Sequence, residues 1–322
     1  MTMFKAIVEQ DRVKHHLKTA LEKDTVSHAY LFLGERGIGK YTMAMAFAQA
    51  LLCPEAALAC GQCLSCEKVR HGNHPDVLVV APEKNETSIK ISQIRRLIGQ
   101  LAIKPYEAEK RVAIIKNGDA MTPEAQNALL KSLEEPEPFN IFIITAADGE
   151  AILQTIRSRC QILTFEPVSA AGIHQVLKAR GIADEELLSA ALYDSEGSVG
   201  KALDFFENQG LESLKVEALD VFYAILKGDC FKLFDFAEKI GKRKTDSLEV
   251  LNFLILWFRD IALILAGQQA PVSPYLEKQR RFVDILTSQR NAEILKVLFE
   301  LMDNLAYNVN LRLQWESTML KI

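Results

Sequence analysis

No stretch of this 322-residue chain restricts its fold more than His28 to Cys53, HAYLFLGERGIGKYTMAMAFAQALLC. Ala29 to Leu33 is an apolar run short enough for a buried strand, Gly34 to Gly39 is punctuated by glycines, and Lys40 to Leu52 has helical length and composition. Strand, glycine loop and helix in that order predict a phosphate loop. Gly34-Glu-Arg-Gly-Ile-Gly39-Lys40 fits G-x-x-x-x-G-K-[ST] up to its last position; the glycines let backbone N–H groups converge on phosphate oxygens, and the lysine adds charge. The last position breaks the pattern. A Ser or Thr hydroxyl there ligates magnesium, whereas this chain has Tyr41, whose phenol lies too far from its own backbone, and Thr42 comes one residue late. The expectation is a phosphate-loop fold with Gly34, Gly37, Gly39, Lys40, Tyr41 and Thr42 as a degenerate phosphate site and no magnesium. A plain glycine turn before a core helix is the alternative, and the flanking strand and helix argue against it.

The same stretch ends on the first of four clustered cysteines, Cys53, Cys60, Cys63 and Cys66, spaced C-x6-C-x2-C-x2-C. Short paired spacings let thiolates converge on one ion, and four thiolates form the closed tetrahedral shell of a structural zinc. A bacterial iron–sulfur run would place a further cysteine followed by proline where Arg70 and His71 stand. His71 or His74 replacing Cys53 as the fourth ligand is the weaker reading. Cys160 and Cys230 are isolated and read as buried small apolar residues.

The length suggests two or three domains, and 49% hydrophobic residues are ample for packed cores. A formal charge of −4 and a pI near 6.0 argue against a protein that coats nucleic acid by bulk electrostatics, so any DNA contact should be shared or partner-dependent. Met1 to Gln10 carries Lys5 and Glu9 and does not read as a leader. The most hydrophobic segment, Leu248 to Ala266, is interrupted by Glu249, Arg259 and Asp260 and does not read as a membrane span. A cytoplasmic location follows as the expectation, with the six cysteines as metal ligands or free thiols rather than disulfides.

In order, Phe4 to Lys23 predicts a helix, with Val13, Leu17 and Leu21 on one face. Asp76 to Ala81, Arg111 to Ile115, Asn140 to Thr145 and Gln161 to Phe165 read as further strands after Ala29 to Leu33. Between them, Ile91, Ile94, Leu97, Ile98 and Leu101 have helical periodicity with Arg95 and Arg96 projecting, Thr122 caps a helix through Glu134, and Ala151 to Ile156 looks helical. Strands alternating with helices imply an α/β fold whose parallel sheet is covered on both faces. After Glu166-Pro167 everything reads as helical: Ser169 to Arg180, Asp184 to Asp194 and Lys201 to Asn208 with a Gly197-Ser-Val-Gly200 break, then Leu211 to Lys227, Cys230 to Ile240, Ser247 to Ala266, Pro274 to Ser288 and Asn291 to Leu320. The expected domains are 1–166, 167–210 and 211–322.

At this point the residues resemble a known family. HAYLFLGERGIGK, the four cysteines, NHPDV at Asn73 to Val77, AQNALLKSLEEP at Ala125 to Pro136 and TIRSRCQ at Thr155 to Gln161 together look like the clamp-loader AAA+ subunits of bacterial DNA polymerase III. The match runs from about Phe4 to Phe165, continues through GSVGKAL at Gly197 to Leu203, and is loose in NVNLRLQWESTMLKI at Asn308 to Ile322. The resemblance implies an AAA+ phosphate-loop domain, a small helical lid and a C-terminal all-α collar that oligomerises. It also implies a role in DNA replication within the polymerase holoenzyme, with the other loader subunits (gamma/tau and delta), the sliding clamp and, through the assembled complex, primer–template DNA as partners, and no membrane.

The departures from the family pattern narrow that role. An active loader ATPase follows its third strand with an acidic pair that holds magnesium and polarises the attacking water. Here that strand ends in Lys116-Asn117, an ammonium and an amide. The phosphate-loop glycines, Lys40 and the triplet Ser158-Arg159-Cys160 remain. The combination resembles a loader subunit that does not hydrolyse ATP and supplies Arg159 in trans to a neighbour's ATP site; Arg157 is its rival, and a plain salt bridge is the bland reading. ATP binding stays open, since Gly37, Gly39 and Lys40 could hold phosphates while Glu35 and Tyr41 add charge and bulk. The alternatives are an active gamma/tau-like ATPase in which Thr42 and Asp119 take over the metal duties, and a direct DNA reader built on the cysteine loop and Arg95/Arg96. The acidic balance and the absence of interleaved aromatics count against the latter.

Overall fold

The computed structural model describes residues 4, 6–55, 58–83, 86–182, 184–268, 276–305, 307 and 309–322. Its N-terminal part starts with α1 (Asp11–Glu22), β1 (Ala29–Leu33), α2 (Lys40–Leu51), α3 (Leu64–Arg70), β2 (Val77–Val80), α4 (Ile91–Leu101) and β3 (Arg111–Ile115). It continues with α5 (Pro123–Glu134), β4 (Asn140–Ala146), α6 (Gln154–Arg157), β5 (Gln161–Thr164) and α7 (Ala170–Ala179). The five strands form one parallel sheet in the order β2-β3-β4-β1-β5. The three inner strands, RVAII, NIFIITA and AYLFL, are apolar without alternation because helices cover both of their faces.

Successive strand residues feed opposite layers. Tyr30, Phe32, Val112, Ile114 and Ile143 pack with Leu17 and Phe47 on one face. Leu31, Ala113, Ile115, Phe142 and Ile144 pack with Ile94, Leu97 and Leu129 on the other. The register Leu31↔Ile144 and Ile115↔Ile144 sets the C-terminal ends of β1, β4 and β3 side by side, which gathers the phosphate loop and Lys116-Asn117 at one edge of the sheet.

A buried ion pair fixes the opposite end of the sheet. Asp76 and Arg111 meet at 3.0 Å with side chains 0% and 2% exposed. Asp76 also accepts the N–H groups of Tyr106, Glu107 and Ala108, and Arg111 donates to the carbonyls of Gln100, Ile103 and Lys104. Burial alone would raise the Asp76 pKa, but these N–H donors and the guanidinium hold the carboxyl below its ordinary range.

The chain divides into two compact units, one running to Val176 with Gly197–Gly200, the other comprising Leu177–Glu196 and Lys201–Ile322. The second holds α8 (Glu185–Ser195), most of α9 (Val199–Glu207), α10 (Gln209–Leu226), α11 (Leu233–Ile240), α12 (Lys244–Leu265), α13 (Leu276–Val283), α14 (Ser288–Leu305) and α15 (Leu311–Met319). Its core is aromatic: Trp257, Phe258 and Phe282 are buried in contact, and Trp315 packs edge-on against Phe236. Among the described residues, no helix is long and apolar enough to cross a membrane.

Several expected boundaries move, each for a local reason. The first helix starts at Asp11, not Phe4, because Glu9 and Gln10 both have positive φ (54° and 59°). The Gln10 amide is spent on the Glu166 backbone, donating to its carbonyl at 2.6 Å and accepting its N–H at 3.1 Å. Residues 151–153 are not helical, and α6 is a single turn. Gly197-Ser-Val-Gly200 contains the start of α9 as well as a break. The helix expected from Asn291 to Leu320 is two helices, and Asn310 caps the second by accepting the Leu313 N–H at 3.2 Å. The helix expected at Pro274 to Ser288 is described only from Leu276 and ends at Val283; Pro274 and Asn308 lie outside the described residues. The one expected from Cys230 starts at Leu233, and Cys230 is exposed, not buried.

Candidate functional site

The phosphate loop leaves β1 at Gly34, whose N–H bonds Ala146 O at 3.3 Å, and enters α2 at Gly39, which is left-handed with φ 98°. Lys40 is buried at 8% exposure, and its ammonium turns back to donate to the carbonyls of Gly34 and Glu35 within its own loop. Burial lowers its pKa to about 8, with the Asp119 carboxylate opposing the shift and Arg36 adding to it. The outer edge of the loop is covered as well. Ser198 Oγ donates to Arg36 O at 2.9 Å, Gly200 N–H donates to Gly37 O at 2.8 Å, and a Cβ on Gly37 (φ 77°) would stand 2.2 Å from Ser198 Oγ.

The two departures from the loader pattern meet here. Lys116 Nζ stands 5.0 Å from the centroid of the Tyr41 ring, so the tyrosine in place of a magnesium-binding hydroxyl carries the ammonium in place of a magnesium-binding carboxylate. Asn117 is left-handed, with its N–H on Thr145 Oγ1 at 3.1 Å. Asp119 Oδ1 accepts the Ala147 N–H at 3.2 Å, and its Oδ2 is 3.7 Å from Arg36. Thr42 is exposed and lines, with Tyr41, Met45, Gln49 and Cys60, a cleft of about 690 Å3.

At the far end of α2 the four cysteines come together. Their Sγ atoms all lie within 4.8 Å of one another, and Cys53–Cys63 and Cys60–Cys66 are each 3.9 Å apart. A tetrahedron with metal–sulfur bonds of about 2.3 Å has edges of roughly 3.8 Å, so the donor set fits such an ion. Backbone N–H groups already point at the sulfurs: Gln62 and Cys63 at Cys60, Cys60 at Cys53, and Cys66 at Cys63. The first two lower the Cys60 thiol to about 6, while burial raises Cys66. His74 is excluded as the fourth donor, because its Nδ1 accepts the Asp76 N–H at 3.0 Å and its Nε2 bonds Ser65 Oγ at 3.1 Å. Ser65 Oγ in turn donates to Leu52 O at 2.7 Å, which ties the cysteine loop to both α2 and β2. His71 caps the end of α3 and is exposed.

Ser158, Arg159 and Cys160 follow α6 at the sheet's rim. Arg159 Nη1 donates to Thr155 O at 2.8 Å and to Ser158 Oγ at 3.3 Å, and Nη2 pairs with Glu134 at 2.7 Å. Arg157 pairs with Glu150 at 2.8 Å. Ser158 Oγ donates to Thr155 O, and the Cys160 thiol, packed against the second apolar layer, is pushed up to about 12 by burial. Arg95 and Arg96 are exposed on α4, with Arg96 3.9 Å from Glu83. Sequence reasoning gives Asp76 and Glu134 no role of their own; both lie inside family motifs, NHPDV and LLKSLEEP, but their partners, Arg111 and Arg159, are distant in the chain.

The profile of the family described as DNA polymerase III, delta subunit, matches residues 9–169. The chain is 32% identical to DNA polymerase III subunit delta' of Bacillus subtilis over 81% of this chain and 79% of that protein. It is 35% identical to the subunit delta' of Pseudomonas aeruginosa over 62% of each, and 30% identical to the B. subtilis subunit tau over 81% of this chain and 48% of that one. A solved gamma subunit-related protein from Thermotoga maritima, 20% identical, superposes with a TM-score of 0.53 over 95% of this chain and 97% of its own, which shows a shared fold. The chain belongs to the DNA polymerase III delta-subunit family, a clamp-loader family.

Proposed function

We propose that this chain is the delta prime subunit of the DNA polymerase III clamp loader: a ring member that does not hydrolyse ATP, helps to open the sliding clamp and place it on primed DNA, and lends Arg159 to the ATP site of an adjacent gamma or tau subunit. The observation that carries this reading is the stack of Lys116 on Tyr41. A tethered ammonium fills the place of the metal cation, the amide of Asn117 cannot act as a base, and Lys40 is already bonded to its own loop. In this reading 1–166 is the AAA+ domain, 167–210 the lid and 211–322 the collar that joins the ring. The cysteine cluster holds a structural zinc, DNA is met only through the assembled complex, and the protein works in the cytoplasm.

The alternative, an active gamma- or tau-like ATPase, is favoured by the intact glycines and Lys40 and by the similarity to subunit tau. It lacks a metal-binding hydroxyl and carboxylate in the required places. Two measurements on the purified chain and its assembled complex decide between them. The chain alone should turn over ATP no faster than background, and Arg159→Ala in the assembled loader should reduce, without abolishing, the clamp- and DNA-stimulated ATPase, since one of several sites is affected. Arginine fingers in GTPases contribute about 10³- to 10⁵-fold at their own site. Turnover by the chain alone that disappears in Lys40→Ala would reverse the choice of subunit.

A further inference from the structure

Glu134 occupies an electrostatically awkward position. It is the last residue of α5, where unpaired carbonyls already carry partial negative charge and a further carboxylate is unfavourable without a cation. The cation it has is Arg159, at 2.7 Å, and the side chains are 47% and 34% exposed. Thr155 O and Ser158 Oγ both accept from Nη1, while Glu134 meets Nη2 as an ion pair. Arg157 is tied separately to Glu150, so the two arginines of the TIRSRC segment have different carboxylates.

We propose that Glu134 is a positioning residue that parks Arg159. It holds the guanidinium against the end of α5 while no phosphate faces it, and gives it up when a neighbouring subunit presents the polyphosphate of bound ATP. The inference rests on the arginine-finger reading above. A half-exposed ion pair is weak and screened by salt, so it orders the side chain without trapping it. A polyphosphate carries more negative charge than one carboxylate and accepts the guanidinium through two oxygens, so it wins the exchange. Competition from Glu134 then appears as a modest penalty on ATP binding at the shared site and not on the chemical step.

The test uses the chain assembled with its native loader partners, with clamp- and primed-DNA-stimulated ATPase followed against ATP concentration at low and high NaCl. Glu134→Gln, which keeps the size and a hydrogen-bond acceptor but removes the charge, should lower KM for ATP about two- to threefold at low salt with kcat unchanged. The ceiling set by a surface pair is about fivefold, and only one site responds. The difference should shrink at high salt and vanish in an Arg159→Ala background. An unchanged KM in Glu134→Gln, while Arg159→Ala still lowers activity, overturns the parking role and leaves the finger intact. A raised KM or a reduced kcat also overturns it, making Glu134 a brace for the rim. Full activity in Arg159→Ala removes the finger and the parking role together.

Discussion

Helix α2 has a ligand-type loop at each end, and the two loops have opposite fates. At its start, the polar groups of the phosphate loop are turned onto the protein itself: Lys40 onto loop carbonyls, Gly37 O onto Gly200, Arg36 O onto Ser198. Just past its end, four sulfurs face one another with backbone N–H groups aimed at them. A lysine can be satisfied by carbonyls, whereas four sulfurs this close together form a donor set suited to a cation. One loop is satisfied by the protein itself, and the other gathers four sulfurs that could hold an ion.

The largest effect expected from breaking this contrast lies in the cysteine loop. Purified protein should contain about one zinc per chain, and Cys63→Ser should lose it, with hydrogen exchange speeding up over 53–66 while the β-sheet amides stay protected. Iron, or metal-free protein under reducing conditions, would remove the contrast. Next comes the buried ion pair at the other end of the sheet. Asp76→Asn strands a buried guanidinium and should cost about 3–5 kcal/mol in denaturant unfolding. The Asp76 carboxyl is depressed in the folded state, so its contribution is present above the ordinary aspartate pKa near 4 and is lost as pH falls through the lower folded value. Wild-type stability should therefore drop in that acid range, and Asp76→Asn should flatten the dependence.

The phosphate loop should respond less. Gly37→Ala places a methyl group at φ 77° against Ser198 Oγ and should cost about 1–3 kcal/mol, with the damage confined to the N-terminal unit. Smallest of all, a double-mutant cycle on Tyr41→Ala and Lys116→Ala should show a coupling of about 0.5–1 kcal/mol. No coupling would mean that the two departures are independent losses. Lys116→Asp with Asn117→Glu should not create ATP turnover until Tyr41→Thr is added, because the hydroxyl ligand would still be missing.

Features carried by local periodicity and spacing are legible in the sequence. The five apolar runs are five parallel strands with ends displaced by no more than one residue, Thr122 is a cap, and C-x6-C-x2-C-x2-C is one cluster. A helix from Phe4 does not form, because apolar spacing carries no sign of the paired left-handed residues Glu9 and Gln10. The long C-terminal helix is broken in two, because Asn310 reveals itself as a cap only through the N–H it accepts.

By itself, the sequence determined which residue types are present at each family position: a tyrosine for a hydroxyl, a lysine for a carboxylate, four thiols, an intact Ser-Arg-Cys triplet. The tertiary structure decided what those residues do to one another. Tyr41 and Lys116 stack, Asp119 goes to Arg36 and Ala147, His74 binds Ser65 instead of a metal, and Arg159 rests on Glu134. The physical reason is range: strands, caps and short cysteine spacings depend on neighbours a few residues apart, while these pairings join segments 9 to 83 residues apart, which only the packing of the sheet and its helices brings within reach.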